Sequence, residues 1–153
     1  MREAVKQLEA RLGERRSRTE IVLDLEARLR LDADRTLLSQ ALANLLDNAV
    51  EAHSEGPIHV RIAARAEPGS LVRIDVSDRG AGMAEDLMAE LDGPYTSTKP
   101  GGSGVGYRLV RKIVEEAHGG EVSIASELGR GTTMTLLSPA RRPGMRRARK
   151  SAT

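Results

Sequence analysis

Two runs of strict alternation mark the middle of the chain: Ile58, Val60, Ile62 and Ala64, then Val72, Ile74 and Val76. Strand side chains point to opposite faces in turn, so each run has one apolar face and one polar face. Glu67-Pro68-Gly69-Ser70 lies between them and supplies turn residues, which predicts an antiparallel hairpin. The apolar face of such a hairpin needs cover, and the rest of the sequence offers helices. Asp34 is a good N-cap for a long helix in which Leu38, Ala41, Leu42, Leu45, Leu46 and Ala49 form a continuous stripe, ended by Gly56-Pro57. Residues 2–12 put Val5, Leu8 and Leu12 on one helical face, with Gly13 as a stop. Glu20 to Glu26 reads as a short strand, and a short helix follows around Ala84 to Leu91. Val105 to Ala117 reads as a helix closed by His118-Gly119-Gly120, with glycine as C-cap. Glu121 to Ser126 and Thr132 to Leu137 read as strands around a turn at Gly129-Arg130-Gly131. The expectation is an α+β domain with helices on one face of a mixed sheet.

Composition narrows the function. The 153 residues suit one domain, and 39% apolar content argues against disorder. The absence of cysteine excludes disulfides, thiolate metal sites and cysteine nucleophiles. Tyr95 and Tyr107 are the only aromatic residues, so the core is aliphatic and an aromatic platform for single-stranded nucleic acid is nearly excluded. No apolar run approaches the ~18–20 residues that span a bilayer, and Met1 to Arg18 lacks the pattern of a signal peptide. Charge is divided unevenly. Residues 140–153 carry six Lys/Arg and no acid, whereas residues 1–139 hold 18 basic and 22 acidic residues. Residues 1–139 are expected to form the domain, and 140–153 a solvated, disordered basic tail.

Three features carry chemistry. Asn44, Asn48 and Glu51 form a polar strip at the border of the long helix's apolar stripe, and an amide there can offer its carbonyl oxygen to Mg²⁺. Asp78-Arg79-Gly80-Ala81-Gly82 stands at a strand end. Alternation turns Asp78 inward, where a carboxylate accepts from a ligand amine, and the glycines permit close backbone approach. Gly101-Gly102-Ser103-Gly104-Val105-Gly106 opens a helix and offers amide groups to an anion. It fits neither the P-loop nor the dinucleotide fingerprint. Gly93 to Ser103, rich in Gly, Pro, Ser and Thr, reads as a lid.

In this order the features resemble the catalytic, ATP-binding domain of two-component sensor histidine kinases, a relative of the gyrase, mismatch-repair and heat-shock chaperone ATPases. Asn44-Leu45-Leu46-Asp47-Asn48-Ala49 resembles its N box, and Asp78-Arg79-Gly80-Ala81-Gly82-Met83 its first glycine box. Pro94-Tyr95-Thr96-Ser97-Thr98-Lys99 stands at the F box, and Gly102-Ser103-Gly104-Val105-Gly106 resembles the second glycine box. His118-Gly119-Gly120 and Gly131-Thr132-Thr133 match the closing pattern. The resemblance spans roughly residues 2–139. It implies a two-layer α/β sandwich of the Bergerat type.

The resemblance also implies roles. Asn44 and Asn48 would hold Mg²⁺ and the phosphates of ATP. Asp78 would accept from the adenine 6-amino group, with Thr132 in support through water. Gly80 and Gly82, followed by Met83, would let the backbone pass the base. Gly102, Gly104, Val105 and Gly106 would cradle phosphates, with Lys99 as a charge partner. Departures from the family pattern are Tyr95 in place of the F-box phenylalanine, Tyr107 for an aliphatic residue, Ala52 for an aromatic and Asp47 for a basic residue.

The implied activity is transfer of the ATP γ-phosphoryl group to a histidine on a separate dimerisation and phosphoacceptor domain, and onward to a response regulator, in the cytoplasm. No contact with nucleic acid or membrane is expected. The acceptor pattern, histidine then an acid, does not occur: His53, His59 and His118 precede Ser54, Val60 and Gly119. His53 and His59 are expected at the surface and His118 at a helix end. The same boxes leave three alternatives: a hydrolytic ATPase, disfavoured because its relatives place Glu where Asn44 stands, an anti-sigma-type serine kinase, and a non-catalytic nucleotide-binding docking module.

Overall fold

The computed structural model describes residues 1–93 and 104–140. Helix α1 (Arg2–Arg11) leads through a 3₁₀ turn (Gly13–Arg18) into strand β1 (Thr19–Leu25). Then come α2 (Arg35–Glu51), the hairpin β2 (Ile58–Glu67) and β3 (Leu71–Asp78), and α3 (Glu85–Asp92). Helix α4 (Gly104–Arg111) continues as a π-helical stretch (Lys112–Ala117), and the chain closes with β4 (Glu121–Glu127) and β5 (Gly131–Pro139). The five strands form one sheet in the order β1-β2-β3-β5-β4. β1 runs parallel to β2 and every other pair is antiparallel. This is the expected α+β sandwich, a mixed and mainly antiparallel sheet with its helices on one face.

The alternating residues do what their spacing demands. Ile58, Val60, Ile62 and Ala64 of β2 and Val72, Ile74 and Val76 of β3 are all buried, facing the stripe of α2 formed by Ala41, Leu42, Leu45, Leu46, Ala49 and Val50. The opposite sheet face is polar. There Asp24 pairs with Arg61 and Arg65, and Arg73 with Asp75. Asp34 caps α2 by accepting from the amides of Thr36 and Leu37, both at 3.0 Å. α1 buries Ala4, Val5 and Leu8 alongside α2, and Arg11 reaches Asp47 at 3.2 Å.

Two expectations change. The helix expected over 105–117 is α-helical only to Arg111. His118 Nδ1 donates to the Ile113 carbonyl at 2.8 Å and Gly120 N–H to that of Val114 at 2.9 Å, so the last turn is drawn wider than α-helical spacing. His53 was expected at the surface, but only 7% of it is exposed. The chain beside it is drawn under the segment after β3, where Ala81 N–H donates to the Ala52 carbonyl at 2.9 Å. His59 stays half-exposed beside Glu20, and His118 is buried at the helix end. The basic tail from 141 onward lies outside the described residues.

The core predicts the cost of opening it. Leu46 is fully buried in the middle of α2, so Leu46→Ala should lower unfolding stability by about 2–5 kcal/mol, read by urea denaturation. Val22, 44% exposed on the outer sheet face, should change it by less than about 0.5 kcal/mol when replaced by alanine.

Candidate functional site

A cavity of about 320 Å³ opens between α2, the end of β3, α3, α4 and β5. Its walls include Asn48, Ala52, Asp78, Met83, Tyr107 and Thr132. Alternation along β3 delivers Asp78 to the same face as Val72, Ile74 and Val76, at the point where the strand leaves the core. Burial therefore raises the Asp78 carboxyl above its ordinary pKa of 3.8, partly offset by the Gly80 N–H, the His53 ring and the Thr132 amide. The Gly80 N–H donates to Asp78 Oδ1 at 2.8 Å. Asp78 thus presents a half-buried acceptor with one oxygen fixed by the backbone.

The loop after Asp78 is held on both sides. A Cβ on Gly80 would lie 2.6 Å from the Cβ of Ala52. At Gly82, with φ +67°, a Cβ would lie 2.0 Å from the Glu127 carbonyl oxygen. Both glycines are therefore required by protein packing before any ligand is considered. Ser126 ties the far side together. Its hydroxyl accepts from Met83 N–H at 2.8 Å, donates to the Gly131 carbonyl at 3.0 Å and lies 2.8 Å from Thr132 Oγ1. Thr132 is Asp78's register partner across β3 and β5.

The polar strip of α2 lies where its spacing puts it. Asn48 and Glu51 line the cavity. Asn44 donates its Nδ2 to the Gln40 carbonyl at 3.0 Å, which leaves Oδ1 as an acceptor, and a Cβ on Gly106 would lie 3.4 Å from that oxygen. The second glycine segment and the first asparagine are thus neighbours. Two neutral amide oxygens on one helix face fit Mg²⁺, which takes few protein ligands and shares the rest with phosphates and water. Among the described residues there is no cluster of three His, Asp or Glu side chains that would hold a metal without a ligand's help. Gly104 begins α4, followed by Val105 and Gly106. Lys99 and Gly102, and the lid and F-box segment from 94 to 103, lie outside the described residues.

Sequence reasoning missed three contributors. Ser126 sits opposite Thr132 in the strand register, a pairing visible only once β4 and β5 are aligned. Tyr107, noted as a departure, is 1% exposed and forms part of the cavity wall. His53 is buried beside the site. Its Nδ1 lies 2.8 Å from the Ala49 carbonyl, and its Nε2 has no hydrogen-bond partner among the described residues.

The family model for histidine kinase-, DNA gyrase B-, and HSP90-like ATPases matches residues 33–142. The C4-dicarboxylate transport sensor protein DctS of Rhodobacter capsulatus is 41% identical over 119 residues, 74% of this chain and 18% of that protein. The chain spans well under half the length of the curated relatives it matches. The nucleotide-free catalytic domain of histidine kinase ThkA superposes with a TM-score of 0.73 at 26% identity, covering 92% of this chain and 93% of that one. ThkA has also been solved in complex with the response regulator protein TrrA, with a TM-score of 0.69 at 26% identity over 92% of this chain and 40% of that one. Full-length ShkA in complex with AMPPNP gives a TM-score of 0.76 at 30% identity, over 93% of this chain and 29% of that one.

The raised carboxyl at Asp78 has a consequence for stability. Folding disfavours its charged form, so its contribution is most favourable below pH 3.8 and is lost as pH rises through the elevated folded value. Asp78→Asn, which can still accept from Gly80, should therefore raise the melting temperature at neutral pH. The gain should shrink toward acid pH, as followed by thermal unfolding across a pH series.

Proposed function

We propose that this chain, which belongs to the histidine kinase-, DNA gyrase B-, and HSP90-like ATPase family, is the part of a sensor histidine kinase that binds Mg-ATP and donates its γ-phosphoryl group to a histidine on a separate domain. One observation carries the reading: Asn48 of α2 and Asp78 at the end of β3 face the same cavity. Asp78 suits the adenine 6-amino group, since a carboxylate accepts and that amine donates. Guanine presents an oxygen at the same position and would meet the carboxylate as a second acceptor. Thr132, buried next to Ser126, supports the base edge through water.

The phosphates extend along α2 toward Asn44, where Gly106 brings the start of α4 alongside. Gly102 and Gly104 add backbone N–H groups, and Lys99 adds positive charge. Mg²⁺ held by Asn44, Asn48 and the phosphates would neutralise charge on the phosphate oxygens. In the transfer, the bond from the γ-phosphorus to the bridging oxygen breaks, a bond to the acceptor imidazole nitrogen forms, and ADP leaves. This chain's part is to position and to balance charge. Asn44 spends its N–H on Gln40 and has no basic group to take a proton from water, which disfavours hydrolysis.

The acceptor would lie on a dimerisation and histidine-phosphotransfer domain, with a response regulator next in line, the kind of protein with which ThkA was solved. A cytoplasmic setting follows from use of ATP. Among the described residues, no helix is long and apolar enough to cross a membrane.

Labelled ATP with and without a cognate helical hairpin tests the reading. The chain alone should bind Mg-ATP without labelling itself, and the added hairpin should acquire acid-labile, base-stable phosphate. Asn48→Ala should slow the transfer by roughly a hundredfold through lost charge stabilisation. Acid-stable label on serine, or steady phosphate release by the unmodified chain, would overturn the histidine-kinase reading.

A further inference from the structure

Ser126 of β4 is not among the described residues that line the cavity, yet its hydroxyl gathers three groups at the cavity's polar end. Met83 N–H lies 2.8 Å away, the Gly131 carbonyl 3.0 Å and Thr132 Oγ1 2.8 Å. Chemistry fixes the direction of two of these bonds, because an amide N–H only donates and a carbonyl only accepts. A serine hydroxyl has one proton and two lone pairs. The proton goes to Gly131 and one lone pair takes Met83. The second lone pair is left for Thr132, so Thr132 must be the donor. No other arrangement satisfies all three contacts at once.

The consequence falls on Thr132. It lines the cavity, and so does Asp78, its register partner across β3 and β5. With its single proton spent on Ser126, Thr132 Oγ1 turns only lone pairs elsewhere. An ionised Asp78 likewise only accepts, and its Oδ1 already takes the Gly80 N–H. Two neighbouring side chains on the cavity wall are thus both acceptors, one by its nature and one because Ser126 makes it so.

We propose that Ser126 is a positioning residue that makes this end of the cavity acceptor-only, and so selects a base that carries an amino group over one that carries an oxygen. The inference rests on the assignment of Asp78 to adenine. A water held between Asp78 and Thr132 spends both protons on them and turns its lone pairs to the base. It then accepts from an N–H of the 6-amino group. The oxygen of guanine meets lone pairs only. If the Thr132 proton were free, Thr132 would donate to that water, the water would keep a proton, and the guanine oxygen would find a donor. Ser126 thereby acts on base choice without touching the base.

The test reads a ratio of affinities, because loss of the Met83 and Gly131 bonds alone would weaken both nucleotides alike. Affinities for Mg-ATP and Mg-GTP are measured by competition with a fluorescent nucleotide for the unmodified chain, Ser126→Ala, Ser126→Thr, Thr132→Val and the double variant with Ser126→Ala and Thr132→Val. The unmodified chain should prefer ATP. Ser126→Ala should cut that preference about tenfold, the scale of one hydrogen bond. Ser126→Thr, which keeps a hydroxyl, should retain it. Thr132→Val removes one acceptor from the water, frees a proton and should cut the preference to the same extent, with no further change in the double variant. A ratio untouched by Ser126→Ala would show a purely structural role and overturn the proposal. So would an equal drop on adding Ser126→Ala in both Thr132 backgrounds, or a folded Ser126→Thr without the preference. Equal binding of ATP and GTP by the unmodified chain would instead overturn the adenine assignment, and the proposal with it.

If Ser126→Ala does not fold, two measurements remain. Thr132→Val must still narrow the preference, and full preference there overturns the proposal. The direction of the bond is read by NMR of hydroxyl protons in the unmodified chain. The Thr132 proton should be held in the bond to Ser126 and protected from exchange; a Thr132 proton that exchanges freely with solvent overturns the proposal.

Discussion

The site depends on how closely three pieces of backbone approach one another. The end of α2, the loop after β3 and the turn between β4 and β5 meet with no room for side chains. A Cβ on Gly80 would meet Ala52, one on Gly82 the Glu127 carbonyl at 2.0 Å, and one on Gly131 the Asp78 carbonyl at 2.1 Å. Hydrogen bonds run through the same contacts, from Ala81 to Ala52 at 2.9 Å and from Gly129 to Ala81 at 2.7 Å. Each contributes only about 1 kcal/mol net, but the steric constraint admits no compromise. The loop that holds Asp78 therefore cannot shift unless the helix or the hairpin moves with it.

That rigidity gives a purpose to a costly residue. β3 alternates Val72, Ile74 and Val76 into the core, and the next inward position is a carboxylate rather than a fourth aliphatic side chain. Burial pushes the carboxyl toward its neutral form, and the Gly80 amide pulls it back. An aliphatic residue there would serve the core better and would offer nothing for an amine to donate to. A local conflict of this kind, kept within a fold whose other levels agree, is what a binding function looks like in physical terms.

Most of the fold was legible because its signals are local. Strand alternation, the stripe of α2 and the Asp34 cap each depend on residues within a few positions of one another, and each stands where the spacing put it. The chemistry of Asn44, Asn48 and Asp78 could be read from residue type. Their expected convergence on a nucleotide could not, and rests on the ordered resemblance. What escaped was made by contacts distant in sequence. His53 looked exposed because it follows a helix and precedes a polar run, and only the docking of Ala52 on Ala81 buries it. Ser126 looked like one more strand serine until the register set it against Thr132. The widening after Arg111 arises from bonds made by His118 and Gly120, which propensity does not register.

Two histidines fix α2 at its ends, and the difference between them is informative. At the N-terminal end, His118 donates from Nδ1 to the Ile113 carbonyl and accepts at Nε2 from Asp34 N–H at 3.0 Å, so both nitrogens are used and the helix cap is tied to the end of the α4 segment. At the other end, among the described residues, His53 bonds only through Nδ1. Between these anchors α2 acts as a ruler. Asn44 touches Gly106 at the proposed phosphate end, and Ala52 touches Gly80 at the proposed base end. Eight residues of α-helix separate them, or about 12 Å. That length would accommodate the ribose and phosphates between the adenine proposed at Asp78 and the metal proposed at Asn44. Both glycine segments are thus registered against one rigid element, so the spacing between them is set by helix geometry rather than by loops. The saturated histidine lies at the end that only holds the frame. The other lies at the proposed base end.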